Sequence, residues 1–212
     1  MNKLIYISGI DGAGKTTISK ALLNKFKPEK AHYSWATLRP FFLLPFIKFF
    51  KYLFVRKYNK FSDYSFHKQK KRESLKKISF LLVPQFIVAL FDYYPQFLYK
   101  IFLKSFKYRV IIADRYYVDF FIERGMLADW NPQKTLEYIL FFDRFFIIPN
   151  HTFYLKVNAE TAFSRKNDIP SIEYLNDRAF YYDYIHNKLG SKIINANGSI
   201  DNILNNIMKD LK

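Results

Sequence analysis

The chain has no cysteine, which excludes a disulfide framework and any thiolate-held metal and fits a reducing compartment. It has no Gly/Ser-rich linker and no internal repeat, so nothing in the pattern splits its 212 residues into separate units. That length suits a single domain over 1–212 with a full core and room for an insertion. The two most apolar stretches do not read as membrane-spanning helices. Pro45, Lys48 and Lys51 interrupt the first, and Pro84, Asp92 and Pro95 the second, which reads as a core helix. No secretory leader is expected, because the opening run Leu4–Ile7 is too short for one and leads straight into glycines.

Acidic residues are also scarce, with 18 Asp or Glu against 34 Lys or Arg and a formal charge of +16. A balance of that size points to an anionic partner: nucleic acid, an acidic membrane surface or highly charged small molecules. Aromatic residues are abundant, with 24 Phe and 17 Tyr. Half of the sequence is hydrophobic, which excludes a disordered chain.

The hydrophobic pattern alternates between strand and helix. Strands are expected at Leu4–Ser8, 32–37, 108–114, 151–157 and 191–196. Helices are expected at Thr16–Phe26, 78–105, 118–127, 132–147, 159–166 and 171–189, with a closing helix capped by Ser199. Such alternation predicts an α/β fold, a five-stranded parallel sheet with helices on both faces.

The stretch "GIDGAGKTT" (9–17) matches G-x-x-x-x-G-K-[ST] through Gly9, Gly14, Lys15 and Thr16. Glycines let consecutive backbone N–H groups curl around phosphates, and a helix starting at Lys15 adds its positive dipole end. Lys15 is placed to reach the β- and γ-phosphates of ATP, and the Thr16 hydroxyl to ligate Mg²⁺. Asp11, Gly12, Ala13 and Thr17 complete the expected ATP-binding loop. "IIADRYY" (111–117) puts Asp114 at the carboxyl end of a buried strand, beside the crevice where open parallel sheets bind ligands. Asp114 is expected to hold Mg²⁺ or orient an attacking oxygen, and Arg115 to neutralise phosphate charge.

With these residues in place, the chain resembles the thymidylate kinases and their relatives among the nucleoside monophosphate kinases. Besides the loop with its Asp11, the resemblance rests on "TLRP" (37–40), "DRYY" (114–117), and "FYLKVNAETAFSRK" (153–166) followed by "IEYLNDRAFYYDYI" (172–185). It implies a P-loop kinase using ATP and Mg²⁺, with Lys15, Asp114, Arg115 and Arg165 catalytic. It also implies an acceptor site of Asp11, Arg39, Arg115, Tyr116 and Arg178, and a lid over 159–178. The family's default acceptor is a nucleoside monophosphate such as dTMP. The helix that reads thymine in that family carries an arginine, and here no arginine lies between Arg72 and Arg109. In this the chain is more similar to divergent thymidylate-kinase-like proteins of cell-surface polysaccharide biosynthesis, whose acceptors the motifs do not settle, and a sugar, glycan or lipid-linked acceptor at the membrane is the alternative expectation.

Residues 41–77 interrupt the strand–helix rhythm with eleven Lys or Arg against Asp63 and Glu73. As a helix, Phe46–Tyr58 would carry a wide apolar face with a cationic edge, suited to a membrane interface. The run "KQKKRESLKK" (68–77) would add roughly 1 kcal/mol per basic residue near an anionic leaflet. The other reading is a helical hairpin packed on the domain or between two copies in a homodimer. A cytoplasmic protein, peripheral at the inner face of the membrane, is the corresponding expectation. A nucleotide-switched module that binds nucleic acid through stacking aromatics is a further reading. Asp11, Arg39 and "DRYY" speak against it, because a switch needs no acceptor site.

Overall fold

The computed structural model of the protein describes residues 3–37 and 79–211. Among these, β1 (Lys3–Gly9), β2 (Ala31–Trp35), β3 (Val110–Asp114), β4 (His151–Lys156) and β5 (Lys192–Asn195) form a five-stranded sheet. The strands run in the order β2-β3-β1-β4-β5 and every pairing is parallel. The α/β P-loop fold expected from the sequence is therefore present. The segment 41–77, with the membrane and homodimer readings attached to it, lies outside the described residues.

Burial on both faces explains why β1 and β3 read as continuous apolar runs. Ile5, Tyr6 and Ile7 are fully buried, and so is all of β3 from Val110 to Asp114. The helices are α1 (Lys15–Phe26), α2 (Ser79–Phe97), α3 (Tyr117–Leu127), α4 (Pro132–Phe142), α5 (Ala159–Ser164), α6 (Ile172–Lys188) and α7 (Ile200–Leu211). Local chemistry fixes several of their ends. The Asn131 side chain accepts from Lys134 N–H ahead of Pro132 at the first turn of α4, and Ser171 accepts from Tyr174 N–H at α6. Ser199 accepts from Asn202 N–H at 3.4 Å, the cap expected for the closing helix.

Two helices depart from their sequence-based bounds. The expected helix 132–147 stops at Phe142, and a 3₁₀ turn over Asp143–Phe145 redirects the chain so that Phe146 enters the core. The expected helix 78–105 is not uniform: α2 widens into a π turn at Leu98–Phe102 before its last turn, Leu103–Ser105. At the wide turn the Lys100 carbonyl accepts from the Ser34 hydroxyl of β2 at 3.1 Å, so a side chain takes up a freed acceptor.

Much of the aromatic excess lies between α2, α3 and the end of α4. Tyr93 stacks on Phe120 at 4.6 Å and Tyr117 on Phe146 at 4.7 Å, with Phe86, Phe97 and Phe121 packed around them. Behind β1 sits a different kind of core. The buried Asp119 carboxylate accepts from Tyr6 (2.6 Å), Tyr182 (2.9 Å) and Ser8 (3.1 Å) hydroxyls and from Tyr116 N–H (2.9 Å). A buried carboxylate is costly unless its lone pairs are filled, and here four donors fill them.

His186 closes this network. Ser8 donates to Asp119, so its oxygen is left to accept from His186 Nε2–H at 2.8 Å; His186 Nδ1 then accepts from the Ser191 hydroxyl at 2.8 Å. Both ring nitrogens are satisfied in the neutral form. Burial pushes the His186 pKa down to about 4, with Asp119 and Asp183 opposing only part of the shift. A depressed histidine pKa gives stability that is complete above the unfolded value near 6.5 and is lost as pH falls towards the folded value. Between about pH 7 and about pH 5 the expected loss from this group is about 2 kcal/mol. Urea unfolding at the two pH values should show it in the wild type, and His186→Gln should flatten the difference by a similar amount. An unchanged pH dependence in the variant contradicts the assignment.

Candidate active site

The parallel sheet sends the carboxyl ends of β1, β2 and β3 to one edge. In register, Ile7 lies beside Asp114 and Asp114 beside Trp35. The loop 9–14 leaves β1 there and enters α1, whose first residue is Lys15. The loop's curvature needs glycine at two points. Gly14, the N-cap of α1, has φ of 83°, a left-handed conformation that other residues adopt at a cost. Gly12 has the same φ, and a Cβ there would stand 2.2 Å from the Ala162 carbonyl oxygen of α5. Ala13 is buried and holds the turn by donating its N–H to the Ile10 carbonyl at 3.2 Å.

A crevice of about 750 Å³ opens over this loop. Lys15, Lys20, Arg115, Arg165 and Lys166 bring five cations to its walls, against the carboxylate of Asp11, and Thr16, Thr17, Tyr33 and Trp35 complete much of the lining. Lys15 is buried and folds back so that its ammonium donates to the Gly9 (2.7 Å) and Ile10 (2.6 Å) carbonyls. Burial, reinforced by Arg115, lowers its pKa to about 8 despite nearby Asp11, Asp119 and Asp114. An ammonium destabilised in this way has much to gain from phosphate oxygens.

Beside it, Asp114 Oδ2 accepts from the Thr16 hydroxyl at 2.6 Å and from the Tyr33 hydroxyl at 2.8 Å. Its other oxygen, Oδ1, is buried with no hydrogen-bond partner among the described residues. A spare buried carboxylate oxygen next to a hydroxyl is a hard-oxygen donor set that fits Mg²⁺. Among the described residues no cluster of three or more His, Cys, Asp or Glu could hold a metal by itself.

Arg115 follows Asp114 with φ of 67°, an uncommon conformation for a residue with a side chain. Its backbone N–H donates to the Ile7 carbonyl at 3.2 Å, and its guanidinium bridges Asp11 (2.6 Å) and Glu123 (3.1 Å). Arg178 of α6 approaches the same two carboxylates at 3.9 and 4.0 Å and lies over the Tyr174 ring at 4.6 Å. Tyr174 also donates to Asp11 at 3.4 Å. Two arginines and two carboxylates thus form a quartet of zero net charge. Burial alone would raise the Asp11 pKa, but Arg115, Lys15 and Arg178 outweigh it and hold the carboxyl well below the usual range.

The structure brings the loop, Lys15, Thr16, Arg115 and Arg165 to one crevice, with Asp114 buried behind Thr16, and ties Arg178 to it through Asp11. Arg165 is braced on the far wall, donating to the Ala196 (2.9 Å) and Asn197 (3.4 Å) carbonyls. Tyr116 goes elsewhere. The left-handed turn at Arg115 breaks the strand's alternation, so the Tyr116 ring is fully buried beside Phe97, Tyr117 and Phe146, with its hydroxyl on the Ile147 carbonyl. In this structure it is a core residue and not an acceptor contact. Arg39 lies outside the described residues. Glu123 and Tyr33 belong to no motif that the sequence reading used, and Tyr174 lies in the quoted stretch 172–185 without being singled out there. The only signal for Glu123 is its position four residues after Asp119, which puts both carboxylates on one face of α3.

No family model matches the chain, and no curated protein does either. Among solved structures the chain is similar to a deoxyadenosine kinase from M. mycoides in three bound forms. They contain the products dCMP and a flexible dCDP (TM-score 0.54, 19% identity), dCTP (TM-score 0.52, 19% identity) and dATP (TM-score 0.54, 18% identity). Each alignment covers 98% of this chain and 98% of the other. At such identity the likeness establishes the fold, the α/β P-loop architecture that the sheet order and the loop already define.

Proposed function

We propose that the protein is a P-loop phosphotransferase that moves the γ-phosphoryl group of ATP onto a nucleoside-type acceptor, either a nucleoside or its monophosphate. The observation that carries this reading is a crevice lined by a phosphate loop, with Asp114 bonded to its Thr16, and by Asp11 and Arg115, which Glu123 and Arg178 pair with to complete the quartet. A nucleotide switch would need the first two features only. The quartet adds a second, rigid polar wall, which an acceptor site requires. The deoxyadenosine kinase fold and its bound deoxynucleotides support the same class of acceptor.

In the reaction proposed, an acceptor oxygen attacks the γ-phosphorus, a hydroxyl acceptor releasing its proton to solvent, the bond to the bridging oxygen breaks, and ADP leaves with the electron pair. The backbone N–H groups of 10–15 and the α1 amino end would hold the phosphates. Lys15 would exchange its two carbonyl partners for β- and γ-phosphate oxygens and offset the charge spread over the transferring group. Thr16 and Asp114 would hold Mg²⁺, which when bound would offset the negative charge of the phosphates. Arg165 and Lys166 would cover the far side. Asp11 and Glu123 keep both arginines in place before any acceptor arrives, so little reorganisation is needed at reaction.

The quartet's neutrality favours a hydroxyl-bearing sugar over a second bare phosphate as the group it grips, since carboxylates accept from hydroxyls and guanidinium groups donate to them. A nucleoside monophosphate, the default of the thymidylate kinase resemblance, would place its phosphate elsewhere in the cationic crevice. A glycan- or lipid-linked acceptor rests on the resemblance to polysaccharide-biosynthesis proteins and belongs in the same assay as a competing arm.

Three variants test this reading. Lys15→Ala should lower turnover of ATP with acceptor by about 100-fold or more while leaving the circular dichroism spectrum unchanged. Wild-type turnover would mean that the loop is not the site. Asp114→Asn should reduce kcat and weaken its Mg²⁺ dependence, with a smaller effect on the acceptor KM. Glu123→Gln frees one side of both arginines and should raise the acceptor KM by about tenfold with less effect on the ATP KM. Equal changes in both KM values would remove the quartet from the acceptor site.

A further inference from the structure

The outward side of α2 is built from the wrong residues for water. Val88, Phe91 and Pro95 of α2, Tyr99 and Phe102 of the π turn and Phe106 just past the last helical turn recur every three or four positions and are all exposed, Phe91 by 75% and Phe106 by 74%. A surface helix of a soluble domain normally turns charge outwards. Between residues 79 and 99 the sequence has one charged residue, Asp92, and it is buried. Phe141 and Phe145, 57% and 48% exposed, extend the apolar surface past the end of α4. An apolar groove of about 200 Å³ joins the two, lined by α2 and residues 142–146. A continuous apolar patch of this kind marks a docking surface.

The charges around it indicate what docks there. Arg144 lies over the Phe141 and Phe145 rings at 4.4 and 5.4 Å, and Lys104 over Tyr99 at 5.4 Å. Aromatic bodies facing outwards with cations at their edges suit an interface where rings enter the acyl boundary and charges stay among headgroups. Few carboxylates flank this surface: Asp92 is buried, Asp143 is half-buried and bonded to Tyr117, and Glu137, exposed one turn before Phe141, accepts from Gln133. Six Lys or Arg against Glu73 also lie in the ten residues preceding Ile78, just ahead of α2 in sequence, in a chain of charge +16. A second copy would bring that same charge to the face, whereas an anionic leaflet complements it. Among the described residues no helix is long and apolar enough to cross a membrane, so α2 would lie in the interface plane.

We propose that the α2 ridge, with Phe141, Phe145 and their cationic rim, is a peripheral docking face for an anionic membrane surface. The assay is sedimentation of the full chain with phosphatidylcholine vesicles, with and without phosphatidylglycerol. Binding should require the anionic lipid and fall as salt rises. Phe91→Glu combined with Phe141→Glu should lower the partition coefficient by about tenfold or more with an unchanged melting temperature, since both rings are exposed. Phe106→Glu, at the far end of the ridge, provides the same test should the double variant fail to fold. Absence of binding to anionic vesicles overturns the proposal. So does full binding by the folded variants, which would assign the membrane contact to another part of the chain. A wild-type dimer that these substitutions dissociate, without vesicle binding, would show instead that a second copy covers the face.

Discussion

The ion pair between Arg115 and Asp11, 2.6 Å long, joins the two loops on which the site depends. Asp11 belongs to the phosphate loop leaving β1, and Arg115 to the turn leaving β3. The strands are neighbours in register, but nothing in sheet pairing fixes the loops beyond their ends. The guanidinium does, with one arm on Asp11 and another on Glu123, while its own backbone sits at a φ of 67°. That conformation costs free energy, of order 1 kcal/mol or more, and is held by the hydrogen bond to Ile7 and the two carboxylates.

Helix α3 is the brace behind this arrangement. Asp119 and Glu123, one turn apart, face the same way but do different work. Asp119 is sealed in the core, where four donors neutralise its cost and tie α3 to β1 and α6. Glu123 reaches the edge of the crevice and orients both arginines. Packing on the other flank of α3 is aromatic, from Phe86 through Phe120 and Phe121 to Phe146. Helix α3 thus frames the proposed acceptor side of the crevice, and the loop with α1 the proposed phosphate side.

The phosphate side is legible in the sequence because its chemistry is backbone chemistry. Glycine spacing, a strand before and a helix after leave few alternatives, and Asp114 follows from its place at the end of a buried run. The acceptor side is not legible in the same way. Glu123 meets Arg178 across 55 positions of sequence, a pairing fixed only once α3 and α6 pack together. Asp119 has the appearance of a solvent-facing carboxylate until Tyr6 and Tyr182 are seen to surround it. Tyr116 is carried to the acceptor site by the "DRYY" resemblance alone, and after the left-handed turn at Arg115 its ring enters the core instead. The outward ridge of α2 is hidden for a related reason, since a helix apolar all round reads as core.

Composition fits these divisions. Among the described residues, aromatic side chains fill one core and one outer surface, five cations line the crevice, and Lys104 and Arg144 edge the α2 ridge. The central claim is that the crevice transfers a phosphoryl group to a nucleoside-type acceptor and does not merely hydrolyse or hold ATP. Phosphorus NMR of ATP and Mg²⁺ incubated with the protein and a panel of deoxynucleosides, nucleoside monophosphates and sugar phosphates tests it most directly. The account predicts ADP together with a new phosphate ester or diphosphate resonance on a nucleoside-type acceptor. Inorganic phosphate as the only new product, or transfer to sugar phosphates alone, would contradict it.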